Sequence, residues 1–257
     1  MKLVTINVGL SGIGRGFVFP DRSFVYIPLD APNSRCKKLP KYNTLYLKDY
    51  SKSQFADSEN LAGSTLGNLI PELKQEKVHN DPDFEDKTYG HAKRGFGYEK
   101  LLGSMVQGDI LLFLATLDYM PVRGEKRVKS INPEWGAYLV GSFNIENVFS
   151  HEHFNCLSVS KQKRFRNNPH YYCKTGADMW ISGKQNKLGL FRKAVPLSTS
   201  DSSIECIPFL RKNFESSGGK PAGSAGWYRA AFVCRKNSKR VWKRIVSLGN
   251  LHIYSEL

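Results

Sequence analysis

The apolar residues of this chain fall mainly in short runs of the kind that make strands, with few long helical stripes. "LVTINVGL", Leu3 to Leu10, is nearly continuous and reads as a buried strand. "FVFPDRSFVYIPL" holds two β-type runs around Pro20-Asp21-Arg22-Ser23, a hairpin pattern. "TLYLKDY" reads as a further strand. "SENLAGSTLGNLIPELKQ" sets Leu61, Leu66, Leu69 and Ile70 near helical spacing, interrupted by glycines and Pro71. "YEKLLGSMVQ" predicts a helix with Leu101, Leu102, Met105 and Val106 on one face, stopped by Gly108.

After Asp109 the pattern changes. "DILLFLATLDYM" is apolar on both faces, which predicts a central strand. "GAYLVGSFNIENV" predicts a second one, with Val140, Phe143 and Ile145 in the core. "SHEHFNCLSVSKQKRFRNNPHYYCK" reads as a short helix leaving a basic, aromatic loop. "DMWISG" and "LFRKAVPLS" flank Lys184 to Leu188 and predict a hairpin. "SIECIPFLRKNF" predicts a short helix. "GWYRAAFVCRKNSKRVWKRIVSL" begins as a strand and ends in a basic segment, and "LHIYSEL" is a last strand. There is no fixed-period repeat. The Gly-, Ser- and Pro-rich "FESSGGKPAGSAGW" lies too near the C-terminus to divide two full domains. The expectation is an α+β fold: a single mixed domain over residues 1–257, with a prominent β-sheet or barrel flanked by helices and a basic C-terminal segment from about residue 227.

Composition sharpens this. With 257 residues and 40% hydrophobic content the chain can bury a real core. Its formal net charge of +15 and pI near 9.6 point to a polyanionic partner, because cations that neutralise phosphates release counterions. Nucleic acid is the expected partner, DNA ahead of RNA. A membrane is not expected: no run approaches the ~20 apolar residues of a span, and no basic amphipathic helix of the surface-binding kind stands out. The N-terminus lacks the apolar core of a signal peptide. Five cysteines, odd in number and without a CxxC pair, support neither a zinc ribbon nor a disulfide framework and fit a reduced cytoplasm.

The densest chemistry lies in "EKVHNDPDFEDKTYGHAKRGFGYEKLL". In an extended segment His79, Asp81 and Asp83 face one way. One imidazole and two carboxylates can hold Mg²⁺ or Mn²⁺, or form a base and its orienter. The plainer reading is an Asx-type turn at "NDP". Tyr89, His91 and Arg94 sit just before the predicted helix, where phosphate oxygens are favoured. In an enzyme, His79 would be general base or metal ligand, Asp81 would orient it or share the metal, and Arg94 would stabilise developing negative charge. Asp83, Glu85 and Lys87 also imitate a Mg²⁺-dependent endonuclease pattern, compressed into too few residues. The metal is otherwise undetermined.

Two basic clusters suit a nucleic acid. In "KQKRFRNNPHYYCK", Lys161, Lys163, Arg164 and Arg166 interleave with Phe165, followed by His170, Tyr171 and Tyr172; cations meet phosphates and rings stack on bases. In "RKNSKRVWKR", a helix would set Lys236, Lys239, Arg240 and Lys243 on one face, with Arg244 adjacent, as a grip on the backbone. Trp180 beside Asp178 could hold a flipped base, although an apolar run makes Trp180 a core residue by default. There is no Walker loop, GxSxG elbow, HExxH or deaminase motif, and "GLSGIGRG" does not fit the dinucleotide-binding spacing.

Taken in order, "FPDRSFVYIPLD", "TLYLKDYS", "VHNDPDF", "GDILLFLATLD", "WGAYLVGSFNIENV", "HEHFN" and "ADMWISGKQNKLGLFRKAVPLS" resemble the nucleotide modification associated domain family, third of a numbered set. The resemblance reaches about Ser198, leaving the basic C-terminal third as a departure. It implies a link to DNA base modification or to restriction of modified DNA, and marks His79, Asp81 and Asp83 as the family's most recognisable polar motif. The "GD…LF" strand followed by "YLVGSF" also resembles PUA-like and EVE-like barrels, which hold a modified base. The expected function is therefore DNA binding linked to base modification, with a candidate active site at the His-Asn-Asp-Pro-Asp loop. The alternatives are a non-catalytic reader of a modified base and a Mg²⁺-dependent restriction-type endonuclease.

Overall fold

The computed structural model describes residues 1–8, 15–31, 38–51, 63–92, 98–121, 134–172, 176–200, 202–203, 205–216 and 231–249. Arg94, the "GLSGIGRG" stretch from Gly9 to Gly14, most of the Gly/Ser/Pro-rich segment and the "LHIYSEL" tail lie outside the described residues.

In chain order the strands are β1 (Leu3–Asn7), β2 (Gly16–Val18), β3 (Phe24–Val25), β4 (Leu29–Asp30), β5 (Val78–His79), β6 (Thr88–His91), β7 (Ile110–Tyr119), β8 (Trp135–Ser150), β9 (Met179–Pro196), β10 (Glu215–Ser216) and β11 (Phe232–Cys234). The helices are α1 (Leu47–Tyr50), α2 (Leu66–Leu69), α3 (Tyr98–Gly103), α4 (His151–Asn155), α5 (Val159–Gln162), α6 (Pro208–Asn213) and α7 (Ser238–Leu248). Nine strands form one mixed sheet in the order β10-β11-β1-β7-β8-β9-β6, with β2 beside the far end of β7 and β3 beside β2; β4 and β5 pair separately. The fold is α+β, a large mixed sheet flanked by helices. No closed barrel forms among the described strands.

The sheet's centre is what its apolar runs dictate. Leu111, Leu112, Phe113 and Leu114 of β7 are fully buried, each contributing about 1.5–3 kcal/mol by leaving water. β1 and β2 both run parallel to β7, at Ile110–Leu114 and Leu117–Tyr119 respectively. Asp109 fixes the start of β7: its carboxylate accepts the Lys2 N–H at 2.8 Å and the Val106 N–H at 3.0 Å. Gly108, at φ +87, makes the turn that precedes it.

Three local expectations need correction. "TLYLKDY" is a 3-10 turn followed by α1 instead of a strand; Tyr42 and Tyr50 turn inward, and the Tyr42 hydroxyl donates to the Pro28 carbonyl at 2.7 Å. Val106 lies past the end of α3 and is exposed, while Leu101, Leu102 and Met105 are buried. The hairpin expected around Lys184 to Leu188 is one continuous strand, because both halves of β9 pair with β8: Gly183 lies opposite Ile145 and Leu188 opposite Phe143. The residues between leave the ladder as a wide bulge and the chain keeps its direction. Leu188 (φ 67) and Gly189 (φ 145) end that bulge.

The basic C-terminal segment is a helix, α7. Val241, Trp242 and Ile245 pack into the core, and Lys239, Arg240, Lys243 and Arg244 stay exposed. No helix among the described residues is long and apolar enough to cross a membrane.

Candidate metal centre

His79 closes β5, where it pairs with Leu29 of β4. Two residues on, Asp81 is buried, and its carboxylate is held from two sides. Asn168 Nδ2 donates to Oδ1 at 2.7 Å, and the Gly90 N–H of β6 donates across the carboxylate at 3.1 and 3.3 Å. Oδ2 is thereby directed at two imidazoles. His79 Nε2 lies 4.0 Å from it and His170 Nε2 lies 3.6 Å from it.

His170 comes from the loop expected to bind nucleic acid. It sits in a 3-10 turn, Pro169–Tyr171, that Asn168 caps: the Asn168 side-chain oxygen accepts from the His170 N–H at 3.1 Å. Asn168 thus ties Asp81 to His170 with its two side-chain ends. The ring nitrogen Nδ1 of His170 faces the Gly176 carbonyl at 3.2 Å. A carbonyl only accepts, so Nδ1 carries the proton and Nε2 is the atom turned to Asp81. The two imidazoles meet edge to face, centroids 4.7 Å apart at 88°. Among the described residues, the ligand atoms of His79, Asp81 and His170 all lie within 4.8 Å of one another. Gly90 makes this approach possible: a Cβ there would stand 2.7 Å from His170 Cδ2 and 3.1 Å from Asn168 Oδ1.

The segment between Asp81 and β6 is a tight turn wedged against the sheet. Asp83 and Thr88 exchange backbone hydrogen bonds at 2.9 and 3.1 Å. Phe84 meets Tyr26, Phe113 and Phe143 edge-on, centroids 5.4–5.9 Å away, and lies over Gly141, where a Cβ would be 2.3 Å from its ring. Asp83 therefore does not join His79 and Asp81. Its Oδ1 accepts the Glu85 and Asp86 N–H groups at 3.0 and 3.2 Å, so the Asx-type turn expected at Asp81 is made one acid later. Burial is the main reason the Asp83 carboxyl is pushed up to about 7; the two N–H groups oppose it and the charges of Asp86 and Glu85 add to it. Burial, then the field of Asp81, also holds the Tyr26 hydroxyl well above its ordinary range.

The other expected residues divide by position. Tyr89 and His91 lie on β6 either side of Gly90, so their side chains project to the face opposite His170. There Tyr89 Oη and His91 Nδ1 are 3.0 Å apart, with Phe113 and Tyr98 as ring neighbours. Lys161, Lys163 and Arg166 are exposed on the segment that leads to His170. Arg164 is partly buried, its side chain 21% exposed. It ties the fold together, donating to Glu146, to the Asp86 carbonyl at 3.0 Å and to the Gly183 carbonyl. Tyr171 packs near Phe154, and Tyr172 is exposed with Lys38 over its ring at 5.4 Å. Trp180 is 2% exposed, stacked on Phe154 at 4.2 Å with Phe165 at its edge, so it is core and not the wall of an open base pocket. Asp178 is exposed beside it. Lys236, Lys239, Arg240, Lys243 and Arg244 stand on or just before α7, which follows β11; four strands lie between β11 and β6 in the sheet order.

Sequence reasoning missed Asn168 and the partnership of His170. The one local signal was "NNPH", an Asn before a Pro that starts a helical turn.

No curated protein and no solved structure matches this chain. The family model for nucleotide modification associated domain 3 matches residues 2–244. That span takes in the His-x-Asp element, His170, the whole described sheet and most of α7, including the basic third that the resemblance left out. The chain belongs to the nucleotide modification associated domain 3 family.

Proposed function

We propose that this chain is a metal-dependent enzyme of nucleotide modification acting on nucleic acid, in which His79, Asp81 and His170 hold one divalent cation. The observation that carries the reading is the orientation of His170. With Nδ1–H given to the Gly176 carbonyl, a neutral ring turns the Nε2 lone pair toward a carboxylate oxygen 3.6 Å away. Two electron-rich atoms so placed call for a proton or a cation between them, and His79 supplies a third donor to the same point. A carbonyl acceptor behind a ligating histidine is the outer-shell arrangement that fixes tautomer and ring orientation.

Two imidazole nitrogens and one carboxylate oxygen suit Fe²⁺, Mn²⁺ or Zn²⁺ better than Mg²⁺, which favours an all-oxygen shell rich in water. Three protein ligands leave positions for water or substrate. A bound cation of this kind supplies Lewis acidity or an activated water at neutral pH. The chain's own groups do the rest. Asn168 and the Gly90 N–H fix the carboxylate, and Gly90 leaves room for His170. Lys161, Lys163 and Arg166, exposed on the segment that leads to His170, offer phosphate contacts. The Asp83–Glu85–Lys87 arrangement is less favoured, since Asp83 spends Oδ1 on the backbone of its own turn.

The test is to strip the protein with chelator, restore single metals, and incubate it with plain and base-modified DNA. Products are scored as nucleosides by mass spectrometry and as strand breaks on gels. A change that requires Fe²⁺, Mn²⁺ or Zn²⁺ and vanishes in Asp81→Asn supports the proposal. Equal turnover by Asp81→Asn, or turnover indifferent to chelation, refutes it.

A further inference from the structure

Among the described residues, a second basic feature is a cleft at the other end of the sheet. It is a cavity of about 330 Å³ between the end of α6, the β10–β11 edge and the start of α7. Arg211 and Lys212 line it from α6, and Arg235 and Lys236 from the turn after β11; all four are exposed. Phe214 and Val233 form an apolar floor. Glu215 is the one acid in the lining, and it lies 3.9 Å from Arg235.

The cleft opens onto the exposed cations of α7. Arg244 of α7 lies over the Phe209 ring of α6 at 4.8 Å, so the two helices present their charges as one surface. The concentration of positive charge reaches inward. Lys2 is held below its ordinary range first by burial, with Asp109 opposing and Arg235 adding to the depression. Like charges gathered this closely repel one another, and a surface built for solubility intersperses both signs. Cations from α6 and from the β11–α7 turn, more than 20 residues apart in the chain, have been brought to one concave place.

We infer that this cleft docks the sugar-phosphate backbone of a nucleic-acid polymer, holding it so that a nucleotide further along reaches the His79–Asp81–His170 centre. The inference rests on the nucleic-acid reading above and adds that the substrate is a polymer. β11 and β6 have four strands between them. Followed along the strand order, five spacings of ~4.8 Å make roughly 24 Å, about seven base-pair steps at ~3.4 Å each; the far end of α7 comes nearer to β6, since the Lys193 N–H of β9 donates to the Gly249 carbonyl at 3.3 Å. A single nucleotide does not span it; a polymer engages both ends, and the cations fix its position without reading its sequence.

Fluorescence anisotropy with a labelled DNA duplex of about 20 base pairs, in EDTA and over a salt series, tests this. The variant is Arg211→Ala/Lys212→Ala/Lys236→Ala, compared with the full wild-type chain, with circular dichroism melting to verify folding. The expected result is an affinity loss of about ten-fold or more and a salt slope shallower by roughly two to three, the share of three phosphate contacts. Mn²⁺ uptake at the distant centre should be unchanged. A folded variant that binds with the wild-type affinity and slope overturns the cleft but leaves the nucleic-acid reading standing. A wild-type chain that binds no DNA or RNA overturns both. Free deoxynucleoside monophosphate that competes as well as the duplex overturns the polymer requirement.

Discussion

His170 Nε2 and Asp81 Oδ2 stand 3.6 Å apart, while the other ring nitrogen of His170 donates to the Gly176 carbonyl. This relationship is set by the backbone of one segment and the carboxylate of another, and Asn168 joins them across 87 residues of sequence. What brings the two together is more specific than a chance meeting of polar groups, and it has consequences for several residues that do not touch the centre's open side.

Gly90→Ala should damage the centre while leaving the strand intact. Gly90 has no left-handed φ to protect, so the backbone tolerates alanine, but the new methyl meets His170 Cδ2 at 2.7 Å. Overpacking of this kind costs about 1–3 kcal/mol. Mn²⁺ affinity measured by calorimetry should fall about ten-fold or more, with a smaller drop in melting temperature. Undiminished affinity would mean that the close approach of His170 is incidental.

Gly141→Ala probes the wedge that seats the Asp83–Thr88 turn. Its methyl would lie 2.3 Å from the Phe84 ring and 2.8 Å from the Gly189 carbonyl. Denaturant unfolding should show a loss of about 1–3 kcal/mol, partly recovered when Phe84→Leu is added. Simple additivity of the two changes would show that they act at separate places.

Arg164 and Lys163 should behave oppositely. Arg164→Ala removes donors to Glu146, to Asp86 and to Gly183 and should lower stability by about 1–3 kcal/mol. Lys163 is exposed, so Lys163→Ala should leave unfolding unchanged and weaken DNA binding. Paired melting and anisotropy measurements on both variants decide this; the reverse assignment would place Arg164 at the surface that meets phosphate.

Asp83 gives a pH dependence with a definite sign. Its carboxyl is raised from an ordinary 3.8 to about 7, chiefly by burial. The folded protein therefore holds this proton more tightly than the unfolded chain. The contribution is fully favourable below the unfolded value and is lost as pH rises toward 7, with a span on the order of 4 kcal/mol. Asp83→Asn keeps the Oδ1 acceptor for the turn and cannot ionise. Its stability relative to wild type should rise between pH 4 and pH 8; a constant difference across that range would contradict the assignment.

The sequence was most informative where composition alone decides structure. β7 and β8 are apolar on both faces and lie at the sheet's centre, as their runs predict. "TLYLKDY" misled because its apolar and aromatic residues suit a strand, whereas the short α1 buries Leu47 and Tyr50 and leaves Tyr46 exposed. The β9 hairpin misled because the polar residues after Gly183 look like a turn, whereas the long β8 partner accommodates them as a bulge. His79 and Asp81 were legible from their spacing and their Pro82 neighbour. His170 was not, because a side chain supplied from so far along the chain leaves no local spacing to read. Asp83 and Trp180 show the reverse case: residue types with chemical promise that the fold uses for a turn and for packing.

His79, Asp81 and His170 are proposed to hold one cation. Calorimetric titration of chelator-stripped wild-type protein and of Asp81→Asn with Mn²⁺ and Mg²⁺ tests it most directly, with circular dichroism to confirm that the variant is folded. The expected result is one saturable Mn²⁺ per chain, bound about ten-fold or more tighter than Mg²⁺ and lost in the folded variant. Absence of saturable Mn²⁺ binding, or the same binding by wild type and Asp81→Asn, would contradict it.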